Sequence, residues 1–476
     1  MDDHAAFVGT FTGCNQRELF LGMFIAILAL MLRNVSLPWV FLGRKFSTGV
    51  LKYWFKFVMD FVFLVVPVLL VMTIFSQSLL LLACVLTTCL VTLLLFIVCE
   101  YLISPDRPAM RVVMNKLIDE SQQPTTFVTY FRSAMLLTVA AAILAVDFPV
   151  FPRRYAKTEK YGHSLMDVGV AGFIFALGVT SRLKSKNKWD EAPYITNRYW
   201  WLRSSYVVLP AIGLGRTFVL SVLNYPQHVT EYGIHWNFFY TLAVVKVVSN
   251  VLPKRFPFLW ACLFGIFQQT MLLSGFETWI LNEENLRETL FTANAEGICS
   301  LMGYITIYYL ADTVAMPISR TGIRVKSWIE CCWKLYAFAL IFYGLQLGAE
   351  WALGEPSRRV VNITYIFAQM SLLTFGLASF LCVQLFSLIA WAANVPHFSV
   401  DENPWCGVQP CLTTSVNRYG LACFLLSNVL TGVINFAIDT HNTDDVTAMC
   451  ILFGYLLSIC LAVHLPAFIK WNAQRR

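Results

Sequence analysis

The chain has 476 residues, 58% of them hydrophobic and only 13% charged, with a mean hydropathy of +0.63 and a formal net charge of +7. At this length a soluble protein forms two or three domains, and an average soluble domain carries about 25% charged residues. So few charges cannot cover such surfaces. A soluble enzyme, a disordered chain and a secreted disulfide scaffold are excluded, and a polytopic membrane protein remains.

The N-terminal stretch MDDHAAFVGTFTGCNQREL is polar and lacks a basic segment ahead of a cleavage site, so the expectation is an uncleaved anchor rather than a removable signal. About 20 mostly apolar residues are needed to cross the bilayer as a helix. Thirteen such runs follow in chain order, at roughly 18–33, 54–76, 78–100, 125–146, 164–181, 204–223, 237–252, 256–276, 297–316, 329–350, 360–392, 418–438 and 446–470. The eleventh is long enough for a strong tilt or a break. There is no internal repeat and no room for a separate soluble domain. The expected fold is therefore an all-α, polytopic transmembrane helical bundle of about 13 spans, one integral-membrane domain over residues 1–476.

Thirteen spans place successive loops on alternating faces. One face then carries 23 of the 35 Lys and Arg residues, the other eight, and four fall within spans. Cytosolic loops carry the basic excess, which orients the C-terminus to the cytosol and the N-terminus to the lumen. The net charge thus records orientation, not a nucleic-acid partner. Many of the 14 cysteines lie inside apolar runs, and none shows zinc-ligand spacing, so neither a metal nor a structural disulfide is expected.

Half of the basic residues on the poorer face share one loop. In Asp147-Phe-Pro-Val-Phe-Pro-Arg-Arg-Tyr-Ala-Lys-Thr-Glu-Lys160 they are Arg153, Arg154, Lys157 and Lys160. Because the flanking loops fit the alternation, a bound anion explains them better than a topology error. Ionisable groups inside spans cost about 2.5–3.5 kcal/mol on insertion scales and usually face a cavity. Asp60, Arg132, Asp147, Asp167, Arg216, Lys246 and Asp312 fall in or near spans. Singly each reads as an ion pair or a snorkelling side chain; together they suggest a polar cavity, in an enzyme or a transporter. The next loop on that face holds His228, Glu231, His235 and Asn237, and a helix through it would align the two histidines. Asn294, Glu296 and Gly297 follow on the same face.

These segments are familiar as a set. AILAVDFPVFPRRYAKTEKYGHSLMDVGV (142–170), QHVTEYGIHWNFF (227–239), TANAEGICSLMGYITIYYL (292–310) and NRYGLACFLLSNVLTGVINFAIDT (417–440) resemble the PIG-W family of inositol acyltransferases. The resemblance runs in order along essentially the whole chain. It implies transfer of a palmitoyl-class acyl group from acyl-CoA, as co-substrate without a further cofactor, to the inositol 2-hydroxyl of glucosaminyl-phosphatidylinositol. It further implies the endoplasmic reticulum membrane, in an early step of GPI-anchor biosynthesis. The family's proposed catalytic pair falls on Asp147 and Lys157. Arg153, Arg154, His228, Glu231, His235, Asn237 and Asp167 become candidates for substrate binding.

In chemical terms, a sugar hydroxyl attacks a thioester only when a base within hydrogen-bond reach takes its proton. Asp147 is one candidate, with Lys157 orienting it or stabilising the oxyanion. His228 or His235 is the other, since the reference pKa of histidine, about 6.5, suits neutral pH. The rival readings are a multi-span transporter, which usually shows matching broken helices, and an acyltransferase for another membrane glycolipid or sugar. Acyl-chain preference and oligomeric state are not encoded in any motif.

Overall fold

In hydrocarbon every backbone N–H and C=O must be satisfied within the segment, so apolar runs of this length fold as helices. The computed structural model describes residues 13–41, 49–103, 109–112, 114–115, 126–187, 205–222, 232–253, 255–282, 287–322, 324–393 and 411–473. Among these residues the fold is helical, with one isolated bridge between Cys14 and His163.

In chain order the helices are α1 (Gln16–Phe41), α2 (Gly49–Leu64), α3 (Val66–Met72), α4 (Leu79–Ile103), α5 (Thr126–Ala145), α6 (Val168–Asn187), α7 (Ser205–Val222), α8 (Phe238–Val251) and α9 (Pro257–Met271). They continue with α10 (Glu277–Leu281), α11 (Leu290–Ala293), α12 (Ala295–Cys299), α13 (Leu301–Arg320), α14 (Val325–Leu353), α15 (Ile363–Ala393), α16 (Leu412–Arg418), α17 (Gly420–Ala437) and α18 (Asp445–Ala473). Each of the thirteen apolar runs coincides with helix. Among the described residues ten helical segments are long and apolar enough to cross a membrane, while α7 and α8 are apolar but shorter. Helix α6, which carries Arg182 and Lys184 in its last turns, falls outside that set. The eleventh run holds no break: α15 is continuous over 31 residues.

The chain divides into two compact units. The first comprises residues 1–14, 156–320 and 335–374; the second comprises 15–155, 321–334 and 375–476.

The second unit is fastened by an ion pair inside its helices. Arg33 of α1 donates through Nε and Nη2 to Oδ1 of Asp60 in α2, at 2.8 and 2.6 Å. The other oxygen, Oδ2, accepts from the Leu412 backbone N–H at 2.8 Å. Arg33 Nη1 reaches Asn34, whose amide continues to Ser387 on α15. A buried ion pair is tolerated when extra hydrogen bonds satisfy both partners, and this one has them.

In the first unit α13 is packed almost all round, as its long list of buried side chains requires. Arg182 of α6 grips Asp312 of α13 with two parallel bonds of 2.7 and 2.6 Å. Gly303 of α13 meets the connection between α14 and α15. A Cβ there would stand 2.7 Å from the Val361 carbonyl oxygen and 2.5 Å from its side chain.

Candidate functional site

In the second unit α5 ends at Ala145 and the chain turns sharply, so Asp147 leaves the helix as a buried carboxyl group. Asn435 of α17, 288 residues further on, donates its amide to Asp147 Oδ2 at 2.8 Å. The Asp147 carbonyl lies 3.2 Å from Nδ1 of His441. A carbonyl only accepts, so in that bond Nδ1 carries the proton.

The turn itself is built by Arg153. Its guanidinium donates to the carbonyl oxygens of Val146 at 2.8 Å, Phe151 at 3.1 Å and Phe148. Burial lowers its pKa to about 10, partly offset by the Asp147 charge, so it remains a cation at neutral pH. Arg154 holds Glu18 at 2.9 Å and the Ser76 carbonyl at 2.9 Å, and Tyr155 adds a hydrogen bond to the same Glu18. Both arginines, expected as substrate contacts, thus spend donors on the protein: Arg153 on the loop around Asp147, Arg154 on α1 and the turn before α4.

The first unit carries the rest of the segment. Lys157 is half-buried. Asp167 is fully buried, accepts from Thr158 Oγ1 at 2.6 Å and faces Arg358 at 2.9 Å. Tyr365 donates to the Asp167 carbonyl at 2.7 Å, and Ser357 donates to the Lys160 carbonyl at 2.6 Å. Asp167 therefore joins this segment to the connection between α14 and α15. His163, whose carbonyl accepts from the Cys14 N–H, is pushed by burial down to about 4 and is neutral at physiological pH.

Of the second motif, His228 and Glu231 lie outside the described residues. Residues 232–237 are irregular and α8 starts only after them, so His235 does not lie on a helix. Asn237 caps α8, accepting from the Phe239 N–H at 3.0 Å, and its amide donates to the Gly213 carbonyl of α7. Such a cap is worth about 1 kcal/mol. His235 is exposed, and its N–H and that of Trp236 converge on Asn294 Oδ1 at 2.9 and 2.8 Å. Gly233 has φ +107°, and a Cβ would stand 2.4 Å from the Ala293 carbonyl, so only glycine allows this approach. The 232–237 and 293–297 segments are thereby locked together. Beside them, Glu296 is shared by Arg287 at 2.6 Å and Arg359 at 3.1 Å.

With this geometry in place, the comparisons with known proteins are decisive. Residues 1–465 match the GWT1 family. The chain belongs to that family. It is similar to the glucosaminyl-phosphatidylinositol-acyltransferase PIGW of Bos taurus, 31% identical with 96% of each chain covered. The fission yeast Schizosaccharomyces pombe GPI-anchored wall transfer protein 1 is 33% identical over 73% of this chain and 72% of its own. The Dictyostelium discoideum phosphatidylinositol-glycan biosynthesis class W protein is 27% identical over 99% and 98%. GWT1-family membership thus agrees with the PIG-W resemblance carried by the four sequence segments.

Residue types alone did not reveal Asn435, His441, Arg358 or Arg359. Asn435 and His441 lie in or just beyond the 417–440 segment, which carried the resemblance without naming a residue in it. The two arginines appeared only as charges on the poorer face.

Proposed function

We propose that this protein is a membrane acyltransferase that esterifies the inositol ring of glucosaminyl-phosphatidylinositol during GPI-anchor biosynthesis. The observation that carries the reading is full-length similarity to relatives bearing that enzyme name. The donor is acyl-CoA of the palmitoyl class, and the enzyme works in the endoplasmic reticulum membrane.

In this reading the inositol 2-hydroxyl oxygen attacks the thioester carbonyl carbon as Asp147 takes its proton. The carbon–sulfur bond then breaks, and the CoA thiolate leaves and recovers a proton. Two features suit Asp147 to the task. It is buried, and its Oδ2 is oriented by Asn435, so less reorganisation is needed when substrate binds. Lys157 is the other member of the catalytic pair that the PIG-W resemblance implies. His441 lies next to the Asp147 backbone.

The test is direct. Purified protein is given glucosaminyl-phosphatidylinositol and labelled palmitoyl-CoA. A labelled glycolipid that is released by alkali and resists inositol-specific phospholipase is the expected product. A label confined to free fatty acid, or a product still open to that phospholipase, overturns the reading.

A further inference from the structure

The connection between α14 and α15 is unlike the other span connections among the described residues. Residues 356–362 are buried throughout, although irregular backbone usually lies at the surface. Within it Val361 has φ +49°, a left-handed conformation that a β-branched side chain strongly disfavours. Such strain persists only where the surroundings enforce it, and it gathers at binding sites. Here α13 enforces it through the close approach at Gly303.

Two residues before Val361 stands Arg359, 3% exposed. Its Nη2 reaches Glu296, but among the described residues its buried Nε and Nη1 have no hydrogen-bond partner. A buried donor left unmade costs about 1–3 kcal/mol, more when charged. Among the described residues, Arg287 and Arg359 share the single carboxylate of Glu296.

From these observations we infer that Arg359, with Arg287 beside it, forms a binding site for a phosphate group of an anionic substrate. The two unmet N–H groups of one planar guanidinium suit adjacent phosphate oxygens. Either the phosphodiester of the inositol glycolipid or a phosphate of CoA has this chemistry. The assignment of the phosphate to a substrate rests on the acyltransferase reading above.

The experiment measures binding without turnover, on full-length protein in phosphatidylcholine nanodiscs. One arm titrates phosphatidylinositol and the other CoA, for wild type, Arg359→Gln and Arg359→Lys. Arg359→Gln is expected to weaken one of the two by about tenfold or more, the scale of a lost charge-assisted hydrogen bond, and to leave the other within twofold. Arg359→Lys, which keeps the charge but not the fork, should fall between. The weakened arm identifies the source of the phosphate. Should Arg359→Gln not fold, Arg359→Lys decides alone: a loss of at least threefold in one arm supports the site. Binding of both probes within twofold of wild type in the folded variants overturns it and leaves Arg359 as a partner of Glu296 only. If binding shifts as expected but wild type makes no acylated glycolipid, the phosphate site stands and the acyltransferase reading falls.

Discussion

The two units treat buried arginine in opposite ways. In the second, Arg33 and Asp60 are closed off: every oxygen of the carboxylate is occupied, and the chain of bonds runs on through Asn34 to Ser387. In the first, Glu296 is divided between two arginines and Arg359 keeps unmet donors beside a strained valine. A closed network stabilises helices within a bilayer, whereas an open one is useful only with something to bind. Burial alone therefore does not separate architecture from function.

Breaking the closed network should have the largest effect. Asp60→Ala leaves Arg33 buried and unpaired and removes the acceptor for the Leu412 N–H. Removing one partner of a buried pair typically costs about 3–5 kcal/mol. Little monodisperse protein is expected by size-exclusion chromatography, and a wild-type elution profile and melting temperature would break the comparison.

In the first unit, overfilling should exceed uncharging. Gly303→Val forces a side chain against the Val361 backbone, which cannot move aside. A loss of about 1–3 kcal/mol, the usual range for overpacking, should appear as a lower melting temperature. Normal stability would mean that the left-handed Val361 is not enforced by α13.

A smaller effect should follow at Asp147. Asn435→Ala removes the donor to Oδ2 without touching the network around Arg33. Turnover should fall about tenfold, the scale of one charge-assisted hydrogen bond, with stability nearly unchanged. Asn435→Asp should be worse, since two carboxylates at that distance repel. Equal turnover in wild type and both variants would remove Asn435 from the site.

The smallest effect concerns pH. His163 is lowered by burial to about 4, against about 6.5 in the unfolded chain. Below pH 6.5 the unfolded chain takes up a proton that the folded chain resists, so stability should decline as pH falls towards 4. His163→Gln should flatten that part of the melting-temperature profile; an unchanged slope assigns the decline to other groups.

The helices were legible because apolar runs of about 20 residues have one stable backbone solution in lipid. The Asp147 segment was legible too, because four cations crowd one loop that the thirteen-span reading assigns to the poorer face. Its partners were not, since nothing in a single sequence links Asp147 to Asn435 across 288 residues. His235 lies off any helix for a local reason. Gly233 and the Asn237 cap stop any helix short of His235, and Asn294 collects the freed N–H groups instead. Arg358 and Arg359 were visible only as charges, because their meaning depends on which carboxylates the fold brings to them.

The most direct test of the central claim is glycolipid acylation by Asp147→Asn compared with wild type, at equal protein and saturating glucosaminyl-phosphatidylinositol and palmitoyl-CoA. Asparagine keeps the shape but cannot accept the inositol proton. With binding of both substrates intact, product formation should fall at least a hundredfold, the lower range for removing a general base. Turnover within a few-fold of wild type would contradict Asp147 as the base and move that role to a histidine.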